Sequence, residues 1–286
     1  MNILDVIGDT PLIKVGNIFA KLEATNPSGS IKDRMTSYMI KEAEKRGDLK
    51  RGDTIIEVTS GNTGISFAMI SVIKGYKFIA VMPDSMSLER RKMMKSFGAE
   101  IILTEGEKDM IGAIKEYEKI IKDRKNVWLP KQFENPDNFL AHQKGLGQEI
   151  IREKKDIDVF VAGVGTGGTL IGVAKALKKE NPKIKIVAVE PEESAVLSGQ
   201  KPNTHYIQGI GEGFITPILK NNRDLIDGIV TIKSEDAIIA SKALAQKNGV
   251  LVGFSSGANF LAAQQLSKKY KNVVTVFPDR GERYLN

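Results

Sequence analysis

The chain has 286 residues, 41% of them hydrophobic, with no cysteine, two histidines and a net charge of +7 from 42 basic and 35 acidic residues. Lack of cysteine excludes disulfides, thiolate nucleophiles and Cys-ligated zinc, and His142 and His205 alone supply a histidine metal site poorly, so no metal is expected. The basic excess is scattered over charged helix faces such as Lys41-Glu42-Ala43-Glu44-Lys45-Arg46, unlike the concentrated patch of a nucleic-acid binder, and no nucleic-acid partner is expected. No run of 18 apolar residues and no basic, then apolar, leader segment is present, so the chain is expected to be cytoplasmic with no membrane partner. At about 150 residues per domain the length suggests two lobes.

The first marked segment is Asn26-Pro27-Ser28-Gly29-Ser30-Ile31-Lys32-Asp33-Arg34, which places Lys32 after a Pro-Ser-Gly turn and before a helical pattern. Most lysines are solvated surface groups; this one differs in context from the helix-face lysines. Its amine can hold a carbonyl cofactor as a Schiff base, a role that needs the lowered amine pKa that partial burial supplies.

Next in order come a strand at residues 54–58, a helix at 62–74, a strand at 77–82, a helix at 87–97, a strand at 100–103 and a helix at 109–124. Between the first pair lies Thr59-Ser60-Gly61-Asn62-Thr63-Gly64. Its hydroxyls, amide and helix-start backbone donors suit a small carboxylate. A single helix cap explains one such residue, not four around two glycines.

After the Asn135-Pro136-Asp137 turn a helix runs to about residue 154, then an apolar strand at 159–162 leads into Gly163-Val164-Gly165-Thr166-Gly167-Gly168-Thr169 and a helix over 170–179. Glycines allow close backbone approach, and the free amides and dipole of a helix start favour an anion such as a phosphate. This loop also satisfies G-x-G-x-x-G, and Glu190, about 22 residues beyond Gly168, stands where a ribose-binding carboxylate would. The loop alone leaves a dinucleotide and pyridoxal phosphate (PLP) both open; Lys32 and the hydroxyl-rich loop favour PLP.

The remainder reads as a strand at 184–189, a loop-rich stretch at 191–222, helices at 235–248 and 257–269, and a strand at 273–277. Ser255-Ser256-Gly257 follows the apolar segment Val250 to Phe254 and opens a helix. Short apolar strands alternating with helices imply an α/β fold of two lobes, each an open, mostly parallel twisted sheet flanked by helices. Ligands of such sheets bind beyond the carboxyl ends of the strands.

Together these segments resemble the cysteine synthase (O-acetylserine sulfhydrylase) and cystathionine β-synthase family of PLP enzymes, fold type II, the tryptophan synthase β-like fold. The resemblance extends through Ile7 to Leu12, Glu57 to Gly64, Met86 to Lys92, Gln132 to Pro136, Gln208 to Gly211 and Gly281 to Leu285. It implies that Lys32 binds PLP and moves the substrate α-proton. Asn62 would bond the ring's phenolate oxygen, Gly165, Thr166, Gly167, Gly168 and Thr169 the phosphate, and Ser255 the pyridine nitrogen. Thr59, Ser60, Asn62, Thr63 and Gln132 would bind the amino-acid substrate. It further implies a large PLP-binding lobe of residues 1–34 and 137–286 and a small mobile lobe of residues 35–136 that closes on substrate.

The implied reaction is β-replacement through an α-aminoacrylate, forming L-cysteine from O-acetyl-L-serine and sulfide, in a homodimer. Sulfide release from L-cysteine with serine or lanthionine formation, cystathionine formation, and a non-catalytic scaffold are the alternatives. Three departures qualify it. Lys144 to Gln148 replaces the usual segment after His142. Glu212 stands where the family typically has Ala, either at the site's mouth as a specificity residue or as a solvated acid. The chain also stops at Asn286, short of the tail many members carry.

Overall fold

A computed structural model describes residues 1–59 and 61–285 of the chain. In chain order the elements begin with β1 (Leu12–Val15), β2 (Ile18–Leu22), α1 (Lys32–Arg46), β3 (Thr54–Val58), α2 (Asn62–Lys74), β4 (Lys77–Pro83) and α3 (Leu88–Ser96). Next are β5 (Glu100–Thr104), α4 (Asp109–Asp123), β6 (Val127–Trp128), α5 (Asp137–Lys144), α6 (Leu146–Glu153), β7 (Val159–Gly163) and α7 (Gly168–Glu180). The chain ends with β8 (Lys185–Pro191), α8 (Pro217–Lys220), β9 (Gly228–Ile232), α9 (Ser234–Asn248), α10 (Phe254–Ser267) and β10 (Val273–Phe277).

These elements divide into two compact units, one of Met1–Asp5 and Lys32–Gln132, the other of Val6–Ile31 and Phe133–Asn286. The first holds a four-stranded parallel sheet in the order β5-β4-β3-β6. The central strand β4 is buried over all but its first residue, the continuous apolar run expected of a parallel strand covered on both faces. On it pack Phe67 of α2 and Ala113 of α4, both fully buried, the burial of the Phe67 ring stabilising by about 1.5–3 kcal/mol. The left-handed Gly75, at φ 76°, closes α2.

The second unit holds a six-stranded sheet in the order β1-β2-β10-β7-β8-β9, parallel except for the β1–β2 hairpin. β10 is buried along its whole length and β7 over its first four residues. α7, with Leu170, Ile171, Val173, Ala174 and Leu177 buried, covers one face, and α10, with Ala258, Ala262 and Ala263, the other.

The main differences from the sequence reading are these. β1, β2, β6 and β9 are strands that the alternation did not mark. The expected helix to residue 154 is two, α5 and α6, because Gly145 at φ −107° and ψ −93° leaves helical geometry. α10 starts at Phe254, three residues early, so Ser255 lies inside its first turn. The preceding apolar segment forms only an isolated bridge at Val252 and is not a sheet strand.

In β2, Lys21 is fully buried; its Nζ lies 2.9 Å from Glu149 Oε2 and 2.9 Å from Glu153 Oε1, and donates to the Thr10 carbonyl. Glu149 Oε1 also accepts from the Asp9 amide at 3.0 Å. The altered segment Lys144 to Gln148 thus leads into a helix whose next residue, Glu149, neutralises a buried cation.

Candidate active site

The expected site residues fall into two sets, one on each unit. On the first, β3 delivers the chain into Thr59 and α2 takes it up at Asn62. Thr59 and Thr63 are buried, and Thr59 Oγ1 accepts from the Gly64 amide at 3.1 Å. Thr63 Oγ1 donates to Gln132 Oε1 at 2.9 Å across 69 positions of sequence. Gln132 is held in turn by its amide, which donates to Glu57 Oε2 at 3.3 Å. The Ncap residue of α2 is Gly61, which has no side chain to cap the helix, and the Thr59 hydroxyl takes the Gly64 amide in the first turn. Ser60 lies outside the described residues.

Lys32 is the first residue of α1 and is half-buried. One turn on, Thr36 Oγ1 bonds the Lys32 carbonyl at 2.9 Å and makes a short contact with Ser66 Oγ of α2. The helix that starts with Lys32 is therefore pinned to the helix that starts with Asn62.

On the second unit, β7 delivers the chain into the glycine loop. Gly167 has φ 87°, a region L side chains rarely adopt. A Cβ on Gly168 would lie 1.8 Å from Asn138 Oδ1, and one on Gly165 would lie 2.6 Å from the Gly209 carbonyl. Thr166 Oγ1 accepts from the Gly168 amide at 3.2 Å and from Asn138 Nδ2 at 3.1 Å, while the Thr166 carbonyl accepts from Thr216 Oγ1 at 2.8 Å. Thr169 Oγ1 lies 3.4 Å from His142 Nε2. No side chain caps α7.

Asn138, His142 and Thr216 brace the loop and were not marked by sequence reasoning. The signal for Thr216 was present in Thr216-Pro217, a hydroxyl cap followed by proline at the first helical position. Asn138 and His142 are single polar residues on a helix and carry no local pattern.

Ser255 is buried in the first turn of α10. One turn on, Asn259 accepts from the Gly163 amide at 2.7 Å and donates to the Val276 carbonyl at 2.8 Å. The helix bearing Ser255 is thus tied both to the glycine loop and to β10. Glu190, the alternative ribose carboxylate, is committed elsewhere: it accepts from the amides of Leu197 and Ser198 at 2.8 and 3.0 Å. Glu212 is exposed, with Oε1 3.0 Å from the Cβ position of Gly165.

These residues fit a phosphate-bearing cofactor. A helix start with glycine at its Ncap, reached through glycines whose Cβ space is already filled and flanked by threonine hydroxyls, offers donors to an anion, with Glu212 at its edge. The model for the family described as pyridoxal-phosphate dependent enzyme matches residues 3–279.

The chain belongs to this family of PLP-dependent enzymes.

It is 48% identical to a cysteine synthase of Staphylococcus aureus over 298 aligned positions, covering 100% of this chain and 95% of that protein. Among solved structures, a cysteine synthase from Entamoeba histolytica superposes with a TM-score of 0.96 at 44% identity, covering 100% of this chain and 89% of that one. A hydrogen sulfide-producing enzyme from Fusobacterium nucleatum superposes with a TM-score of 0.95 at 41% identity, covering 99% and 97%. The cofactor of this PLP-dependent enzyme is pyridoxal 5'-phosphate, and its fold is type II. No helix among the described residues is long and apolar enough to cross a membrane.

Proposed function

We propose that this enzyme is a cysteine synthase, which replaces the β-acetoxy group of O-acetyl-L-serine with sulfide and releases L-cysteine and acetate. The observation that carries the reading is the Thr63–Gln132 hydrogen bond, which gathers hydroxyl and amide groups from sequence-distant segments at the start of α2. A free carboxylate on a small amino acid is the ligand such a cluster of donors suits.

PLP, when bound, supplies an electron sink that labilises the α-proton and lets a β-substituent depart. On this reading Lys32 holds the cofactor and moves the α-proton. The amides of Gly165 to Thr169, with the two threonine hydroxyls, hold the phosphate. Asn62 donates to the ring oxygen and Ser255 meets the ring nitrogen. Thr59, Ser60, Thr63 and Gln132 hold the substrate carboxylate and fix the α-proton toward the lysine amine. Residues 35–136 form the mobile, substrate-closing lobe, which excludes water during the reaction. A cytoplasmic homodimer completes the proposal, supported by family resemblance.

Sulfide release from L-cysteine is a second reading with one observation behind it. Glu212 puts a carboxylate at the edge of the glycine loop, where it opposes an anionic nucleophile and favours water or a neutral thiol.

Borohydride reduction followed by peptide mass spectrometry should place the cofactor on Lys32. Lys32→Ala should lower turnover by about four orders of magnitude or more, because the amine is chemically required. Substantial steady-state activity of that variant without added amine refutes the assignment.

A further inference from the structure

The C-terminal Gly281 to Tyr284 segment has no place in the chemistry above, yet it lies where two parts of the second unit meet. Beyond β10 the chain runs through Pro278, Asp279 and Arg280 and pairs on both sides. On one side Ser30 bridges Asp279, the Ile31 amide donates to the Pro278 carbonyl at 2.8 Å, and the Arg280 amide to the Gly29 carbonyl at 3.1 Å. On the other side Val252 bridges Arg280, the Gly253 amide donates to the Asp279 carbonyl at 3.1 Å, and the Gly281 amide to the Leu251 carbonyl at 3.2 Å.

Side chains reinforce both edges. Arg283, buried, donates to the Ser28 carbonyl, and Arg280 Nε to the Ala24 carbonyl at 2.9 Å. The Tyr284 hydroxyl donates to Asp279 Oδ2 at 2.6 Å, and its ring lies 4.6 Å, centroid to centroid, from that of Phe254. Gly253 is required between them: a Cβ there would lie 2.2 Å from Asp279 Oδ1 and 2.5 Å from the Tyr284 ring. Asp279 itself is 1% exposed.

We propose that Asp279 to Tyr284 is a positioning device that holds the turn leading to Lys32 in register with the start of the helix bearing Ser255. Lys32 follows Ser30 by two residues, and Ser255 follows Val252 by three. One dipeptide, Asp279-Arg280, pairs with both, which sets Ser30 and Val252 about two strand spacings apart, roughly 10 Å. Both paired segments, the turn up to Ile31 and the start of the Ser255 helix, lie in the second unit, so a slip on either side displaces the candidate cofactor residue that follows it. Tyr284 and Asp279 are positioning residues; neither is asked to touch substrate.

The test compares holoenzyme of the parent with Tyr284→Phe, Asp279→Ala, Asp279→Asn and a core control, Leu177→Ala, whose loss of Tm is structural only. The readouts are the rate of PLP release and the pH midpoint of the visible band of the lysine-bound cofactor, both at temperatures where every variant is folded. Tyr284→Phe keeps the ring and deletes one charge-assisted bond, so PLP release should speed up about tenfold and the midpoint should move. Asp279→Ala should match it, whereas Asp279→Asn, which retains an acceptor, should restore much of the parent's behaviour. Leu177→Ala should lower Tm and leave both readouts at parent values. If Tyr284→Phe and Asp279→Ala change Tm alone, as the control does, the proposal is overturned while the Lys32 reading stands. A parent enzyme whose borohydride-trapped cofactor sits on another lysine overturns both.

Discussion

Ser255 is a neutral hydroxyl buried at the start of α10, and that neutrality has a consequence. A carboxylate in its place would keep the pyridine nitrogen protonated and make the ring a deeper electron sink. On the proposed assignment, a serine facing the nitrogen would leave it largely unprotonated and would favour departure of a good leaving group alongside the proton. Ser255→Ala should therefore slow the first half-reaction modestly, about tenfold for one lost hydrogen bond, while Ser255→Asp should slow it further. Single-turnover mixing with O-acetylserine measures this directly. An Asp variant faster than the parent contradicts the neutral-ring account.

The lever that Glu212 offers is charge. Two like charges roughly 5 to 7 Å apart at an effective dielectric near 20 repel by about 2 to 3 kcal/mol, which bounds what Glu212 could do to hydrosulfide. Its exposure to solvent reduces that figure, so less than a tenfold effect is expected. Glu212→Ala should raise the ratio of sulfide-dependent cysteine synthesis to sulfide release from cysteine by several-fold. An unchanged ratio with both rates at parent values means that the carboxylate is a solvated surface acid.

At the scale of elements, the glycine loop is the least tolerant part of the site. Gly168→Ala pushes a methyl group into Asn138 Oδ1, so either the loop or α5 must shift. Cofactor affinity should fall at least tenfold with little change in Tm, because the collision is with a side chain at the site and not with the core. Trimming the obstacle in Gly168→Ala/Asn138→Ala should recover part of the loss. Equal affinity for parent and Gly168→Ala, measured by equilibrium titration of apoenzyme, contradicts the cradle.

The strand, loop and helix around both ligand loops were legible because glycines and hydroxyls cluster between a short apolar run and a helical period. β2 was not legible: Lys21 interrupts its apolar run, and the two acids that make that lysine tolerable lie more than 120 residues on. β9 is an edge strand with four of its five residues half-buried, too weakly patterned to stand out from the loop before it. Asn138, His142 and Thr216 escaped for a related reason: bracing residues come from distant segments, and only the fold brings them to the loop.

For the whole molecule, two units each built on a mainly parallel sheet deliver Lys32, Thr59, Asn62, Thr63, the glycine loop and Ser255 from the carboxyl end of a strand or the first turn of a helix. That arrangement places donors and hydroxyls on rigid starts and leaves chemistry to the cofactor. The full-length match to PLP-dependent enzymes fits the same division of labour.

The measurement that bears most directly on the account is a side-by-side assay of the purified holoenzyme. Turnover of O-acetyl-L-serine with sulfide is compared with sulfide release from L-cysteine, each as kcat/KM. A cysteine synthase should favour the first by at least about a hundredfold, a difference of roughly 2.7 kcal/mol in transition-state stabilisation. A preference for L-cysteine as donor, with sulfide released and serine or lanthionine formed, would contradict the proposed function.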